Sequence, residues 1–335
     1  MTSDLPLYKK ITDDELLAKL RAALESKDLA TQFWRSLTDY PIALLREGNS
    51  SQAQTLLLHL LHKCQSLAPL DYPKIHKGSP YFWLAISAFL LHDYQTATFF
   101  FDANVAEDVN WGTDAEKAPT PAMFFIMLEG SQLNPSAQKL AQIAEAKLLR
   151  CLDFYKSLTG KPSWLPDCSL PRLRLRFLRP ALSKNKPGWR TLAATFISFF
   201  IEWEFRNELF DLRPAGGTFE PFYLHLIKGC VLFEGLLKEN PKKKAAGGTL
   251  EEILQELQPE LGIALPSNFT GAFQEILSDL PQAEDRIETA ILFAGRVRHA
   301  AGHRLSWEEP LSREQYGKLF EMVAAACLYA VACLY

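Results

Sequence analysis

The sequence predicts an all-α protein on three observations. Apolar residues recur at helical spacing along most of its length, capping signals open several of those segments, and no stretch alternates long enough to build a sheet. Of the 335 residues, 48% are hydrophobic and 22% charged. That balance excludes extensive disorder and suits about two domains, each large enough to bury its own core. The expected organisation is a helical-repeat-like domain over 1–158, a basic, proline-rich linker over 159–188 and a helical bundle over 189–335.

The first helix is marked by Thr12, a capping hydroxyl, followed by Asp13, Asp14 and Glu15 at the positive end of the helix dipole. Leu16, Leu17, Leu20, Ala23 and Leu24 then supply an apolar face. Further on, Tyr81, Leu84, Ala85, a turn at His92-Asp93-Tyr94, Ala97 and Phe101 place bulky and small residues where one helix nests against another. This pair resembles a tetratricopeptide hairpin. Gly48-Asn49, followed by Ala53 and Leu57, echoes it 44 residues earlier. The family's repeat is about 34 residues, so the chain reads as repeat-like pairs and not a regular array. Phe99-Phe100-Phe101 reads as core, and a helix over about 136–158 closes this half.

Residues 159–190 break the pattern. Pro162, Pro166, Pro171, Pro180 and Pro187 punctuate a segment in which Asp167 is the one acid among eight Lys or Arg. Arg172 to Arg179 alternates with period two, which would put Arg172, Arg174 and Arg176 on one face of an extended strand. Helices resume over about 189–212 and 219–240. Thr249 with Glu252 forms a capping box, and Pro281 stands just inside the start of a long helix reaching His303. Ser312 with Gln315 caps the last helix. Arg206-Asn207 and the Lys242-Lys243-Lys244 run read as solvated.

Several functions are excluded or disfavoured. A net charge of −3 provides no global attraction to nucleic acid, so any polyanion site must be local. The six cysteines form no CxxC pair, which supports neither a zinc site nor a disulfide scaffold. With no signal-peptide pattern at the polar N-terminus, a cytoplasmic location is expected. Met322 to Tyr335 is a run of fourteen apolar residues. A spanning helix needs about 20, so this reads as a buried or dimer-forming helix and no membrane partner is expected.

Chemistry concentrates in Ala294-Gly-Arg-Val-Arg-His-Ala-Ala-Gly-His-Arg-Leu-Ser-Trp307, where Arg296, Arg298, His299, His303 and Arg304 gather at the end of an apolar helix. At about 3.6 residues per turn, His299 and His303 share a face, while Arg298 lies about 140° from His303. A kink at Gly302 would bring Arg298 and His303 towards one pocket. Two histidines without a third ligand do not make a metal site.

Arg298, His299, Ala300, Ala301, Gly302 and His303 match in order the motif of the HEPN superfamily nucleases, an Arg, a polar residue, three variable residues and a His. The chain from Trp189 to Tyr335 resembles that family in its helical context as well. The resemblance implies a HEPN-like bundle and a metal-independent endoribonuclease, needing no cofactor, in which two motifs of a homodimer meet across one cleft. By that resemblance Arg298 holds the scissile phosphate, His303 serves as general acid or base, and the RNA 2′-hydroxyl attacks to leave a cyclic phosphate. His299 would orient the site, with Arg296 and Arg304 adding contacts to RNA. Leu305 stands where one branch of the family has a modified tyrosine, which counts against that branch. The N-terminal half would then sense a protein partner or recruit a target, in defence or stress. The competing reading is a non-catalytic interaction protein whose HEPN-like domain only dimerises.

Overall fold

Local capping signals act where the sequence places them. In the computed structural model, which describes residues 11–183, 186–213, 217–243, 247–265, 269–303 and 310–335 and only the backbone of 301–303, the chain is all-α. Among the described residues the one β pairing is an isolated parallel bridge between Thr159 and Arg286. Contacts divide the chain into two compact units, Met1–Ala141 with Leu182–Arg190, and Gln142–Ala181 with Thr191–Tyr335. The division therefore differs from the expected linker over 159–188, because residues 142–181 pack with the second unit and 182–190 with the first.

The first unit begins with α1 (Asp13–Leu24), whose Thr12 hydroxyl accepts from the Glu15 amide at 3.2 Å while the Glu15 carboxylate accepts from the Thr12 amide at 2.8 Å. Then come α2 (Lys27–Gln32), α3 (Asp39–Arg46), α4 (Ser50–Leu67), α5 (Gly78–Leu90), α6 (Tyr94–Asn110), α7 (Pro121–Ile126) and α8 (Pro135–Ser157). Trp34, Leu44, Leu56, Leu57 and Leu60 form the centre of one core cluster. In the α5–α6 hairpin Leu84, Ala85 and Ala97 are fully buried, and the small side chains let the two helices nest.

The echo at Gly48 uses the same helix ending as the hairpin. After α3, Gly48 takes φ +83° and the Asn49 amide donates to the Leu44 carbonyl at 2.8 Å. After α5, His92 takes φ +59° and the Asp93 amide donates to the Ala88 carbonyl at 2.9 Å. Glycine enters that left-handed conformation freely, whereas a histidine gives up roughly 1–2 kcal/mol. Of the Phe triplet on α6, Phe101 is buried but Phe99 is 65% exposed. Successive helical residues point about 100° apart, so three in a row cannot all face one core.

In the second unit the arginine ladder is helical, not extended. Leu170–Leu173 (α9) leads into a π-helical turn, Arg174–Leu178, and then Arg179–Ala181 (α10). Leu170, Leu173, Phe177, Leu178 and Ala181 are buried, a helical spacing that outweighs the alternation of Arg with Leu. The remaining helices are α11 (Pro187–Leu212), α12 (Glu220–Lys238), α13 (Leu250–Leu261), α14 (Phe273–Asp279), α15 (Ile287–His303) and α16 (Arg313–Leu334). Pro281 does not open α15; it sits in a short 3₁₀ turn, Leu280–Gln282. The reason is non-local, since the Thr159 amide donates to the Asp285 carbonyl at 2.9 Å and the Ile287 amide donates to the Thr159 carbonyl at 3.0 Å. Those bonds hold Asp285 and Arg286 out of the helix, which begins at Ile287.

The core of this unit is aromatic. Trp203 of α11 lies 4.8 Å from Tyr316 and 4.2 Å from Phe320 of α16, ring centre to ring centre, and Phe199 stacks on Phe320 at 4.8 Å. Helices α12 and α16 run in the same direction, with His225 beside Tyr316, Gly229 beside Cys327 and Leu236 beside Tyr335. By length and composition α16 could cross a membrane, yet 83% of its most apolar stretch is buried. Lys242 donates to the Cys333 carbonyl at the end of α16 and Lys243 to the Glu256 carbonyl of α13, so these two lysines are engaged and not simply a solvated run.

A polar group crosses that core. The Glu202 carboxylate, 5% exposed, accepts from Arg206 at 2.8 Å and from Lys228 at 3.0 Å. Arg206 is thereby engaged and not on a free solvated face. Lys228 also donates to the Ser198 hydroxyl at 2.7 Å. Nearby, His225 Nε2 is 2.9 Å from the Phe199 carbonyl, which can only accept, so Nε2 carries the proton and Nδ1 accepts from the Tyr316 hydroxyl at 2.6 Å.

Burial pushes His225 down to about 4. An unfolded histidine titrates near 6.5, so its contribution to stability is complete above that pH and is lost as pH falls towards 4. Urea denaturation of the chain is expected to show a loss of roughly 2 kcal/mol from this group between pH 7.5 and 5. A His225→Gln variant should be less stable at pH 7.5 but lack that part of the slope.

Candidate functional site

Helix α15 buries Ile287, Ala290, Ile291, Ala294, Val297 and Ala300, which fixes its rotation and leaves Arg296, Arg298 and His299 at its margins. Arg298 and His299 line a cleft of about 430 Å³ with Glu234 of α12, Thr249 at the cap of α13, Phe269 and Gly295. The Arg298 guanidinium is about one-third exposed, and its Nε donates to the Glu234 carboxylate at 3.0 Å. Neither Nη group of Arg298 makes a hydrogen bond among the described residues.

Glu234 is the residue that sequence reasoning missed. It also accepts from Lys238 at 2.7 Å, one helical turn further along α12. Burial works to raise its carboxyl, and the hydrogen bonds from Lys238 and Arg298 outweigh that and hold it below the ordinary carboxylate range. The i, i+4 spacing of Glu234 and Lys238 was readable. Nothing in the sequence connects Glu234 to an arginine 64 residues away.

The other expected site residues divide. Arg296 points to α14, where it donates to Asp279 at 2.6 Å and lies 3.8 Å from Glu275. It is 12% exposed, so its charge is taken up by these two carboxylates and the expected RNA contact is not supported there. His303 is the last residue of α15, with its side chain outside the described residues, and Arg304 lies outside them altogether. The α15 backbone is helical through His303, so the helix is not frayed at Gly302. The register thus keeps position 303 about 140° around the helix from Arg298 and one turn beyond His299.

Close packing shapes the cleft wall. A Cβ at Gly295 would stand 2.1 Å from the Phe269 ring, far inside van der Waals contact. Gly295→Ala is expected to displace Phe269 and cost about 1–3 kcal/mol, measured by urea denaturation. The Thr249 cap is satisfied internally, its hydroxyl accepting from the Glu252 amide and the Glu252 carboxylate accepting from the amides of Gly248 and Thr249. Among the described residues, Arg298 and His299 are the basic side chains lining this cleft, and Glu234 and Glu251 are its acids.

Other chemistry is limited. All six cysteines are buried and free, and burial pushes Cys64, Cys151, Cys168 and Cys333 up to about 12, leaving them poor nucleophiles. Among the described residues, no group of three or more His, Cys, Asp or Glu converges as a metal site would require. No family model, curated protein or solved structure matches the chain.

Proposed function

We propose that the chain is a metal-independent endoribonuclease of HEPN type, cutting single-stranded RNA by attack of the 2′-hydroxyl at a site shared between two copies of the chain. The observation that carries this is Arg298, fixed through Nε at the edge of a cleft with neither Nη group hydrogen-bonded among the described residues. A guanidinium held in this way suits the charge that develops on a phosphate during transfer. His303 supplies the proton transfer, because a histidine side chain can both donate and accept a proton in the physiological range. The proposed setting is cytoplasmic defence or stress, with the first unit binding a protein regulator or target.

A second reading rests on the same ion pair. Glu234 neutralises Arg298, as a structural contact between α12 and α15 would require, and the chain would then be an interaction protein with a HEPN-like dimerisation unit. Incubation of mixed single-stranded RNA with the protein in EDTA separates the two. The nuclease reading expects cleavage by wild type, products ending in a cyclic phosphate, and none from His303→Ala at equal folding and oligomeric state. Equal background from both proteins, with and without candidate activators, would leave the interaction reading.

A further inference from the structure

The arginines of the α9–α10 segment are sorted by its π-helical turn. A turn of this kind has over four residues, so side chains four and five apart fall nearly in line. Arg174 is held by Glu145 at 3.2 Å, and Arg179 is partly buried. Arg172 and Arg176 are different: both are exposed, and no carboxylate lies within ion-pairing distance of either among the described residues. They flank a shallow depression formed with Pro166, Asp167 and Cys168. Asp167 is the one acid there, and it is exposed.

An exposed aromatic side chain precedes the depression in the chain. Trp164, two residues before Pro166, is 53% exposed. Its indole is seated against Gly262, where an added Cβ would come within 2.6 Å of the ring. Gly262 ends α13 in the left-handed conformation, φ +67°, so a rigid helix end supports one edge of the indole.

We propose that Arg172, Arg176 and Trp164 form a binding patch for single-stranded RNA that is distinct from the Arg298 cleft. The two guanidiniums, one helical turn apart, take neighbouring phosphates, and the exposed indole stacks on a base. An acidic peptide would use the arginines alone and would leave the indole without a partner. The choice of RNA as the nucleic acid rests on the ribonuclease reading, because phosphate contact and stacking do not themselves read a 2′-hydroxyl.

The test is fluorescence anisotropy of a labelled single-stranded oligouridine with the full chain carrying Arg298→Ala, which keeps the RNA intact. The double substitution R172A/R176A is expected to weaken binding tenfold or more, and to reduce the slope of log affinity against log salt by about 1.4. Trp164→Ala should cost roughly tenfold with the slope unchanged. R172K/R176K should keep the slope, which separates lost charge from lost folding. The proposal is overturned if the double alanine variant binds with unchanged affinity and slope. It is equally overturned if the chain binds no RNA, or if polyglutamate displaces RNA as well as unlabelled RNA does. Cleavage by the chain with Arg298 intact is scored separately, so the patch and the nuclease can each fail without the other.

Discussion

Replacing Arg298 with alanine is expected to lower RNA cleavage by about a thousandfold while leaving the fold in place. Loss of one donor aimed at developing charge typically costs about 10²–10³ in rate, and Arg298 brings a full positive charge as well. Stability should change by less than about 1 kcal/mol, because a partly exposed ion pair contributes little. Arg298→Lys is expected to recover only a part of the rate, since an ammonium cannot reproduce the guanidinium fork. Glu234→Gln keeps an acceptor for Nε, and cleavage should stay within about tenfold of wild type. Single-turnover rates on one RNA, beside urea denaturation of each variant, test all of this. If Arg298→Ala and Glu234→Ala prove equally stable and equally active as wild type, Arg298 has no chemical role.

The largest effect on stability is expected at Glu202. Its carboxylate lies in the aromatic core of the second unit with Arg206 and Lys228 directed at it. Glu202→Ala would remove the carboxylate that Arg206 and Lys228 share, and breaking a buried pair in this way costs about 3–5 kcal/mol. Glu202→Gln retains hydrogen-bonding capacity and should cost less. A double-mutant cycle between Glu202→Gln and Lys228→Met would measure the coupling. Equal stability of Glu202→Ala and wild type would mean that water reaches this group and screens it.

Much of the fold was legible because its signals are local. The Thr12, Thr249 and Ser312 capping boxes all open helices, and the small residues at 85 and 97 mark a close helix pair. Where the sequence misled, longer-range contacts decided. The alternation at Arg172 to Arg179 imitates a strand, but Leu173, Phe177 and Leu178 find a core that only a helix lets them reach together. Residues 285–287 pair with Thr159 and delay the start of α15 beyond Pro281. The candidate site was legible as a cluster of basic residues on one helix. Its partners, Glu234 for Arg298 and Asp279 for Arg296, come from other helices and carry no local mark.

The interleaving of the two units has a consequence for synthesis on the ribosome. The first unit is not a continuous stretch, because it needs Leu182–Arg190 to be complete. The α16 segment, whose aromatic and apolar side chains fill the core of the second unit, follows Arg190 by more than a hundred residues. At about 5–20 residues per second, the nascent chain carries a completed first unit for several seconds before the second unit can close. The cleft that Arg298 and Glu234 line, built on α12, α13 and α15, therefore stays unformed until α16 emerges.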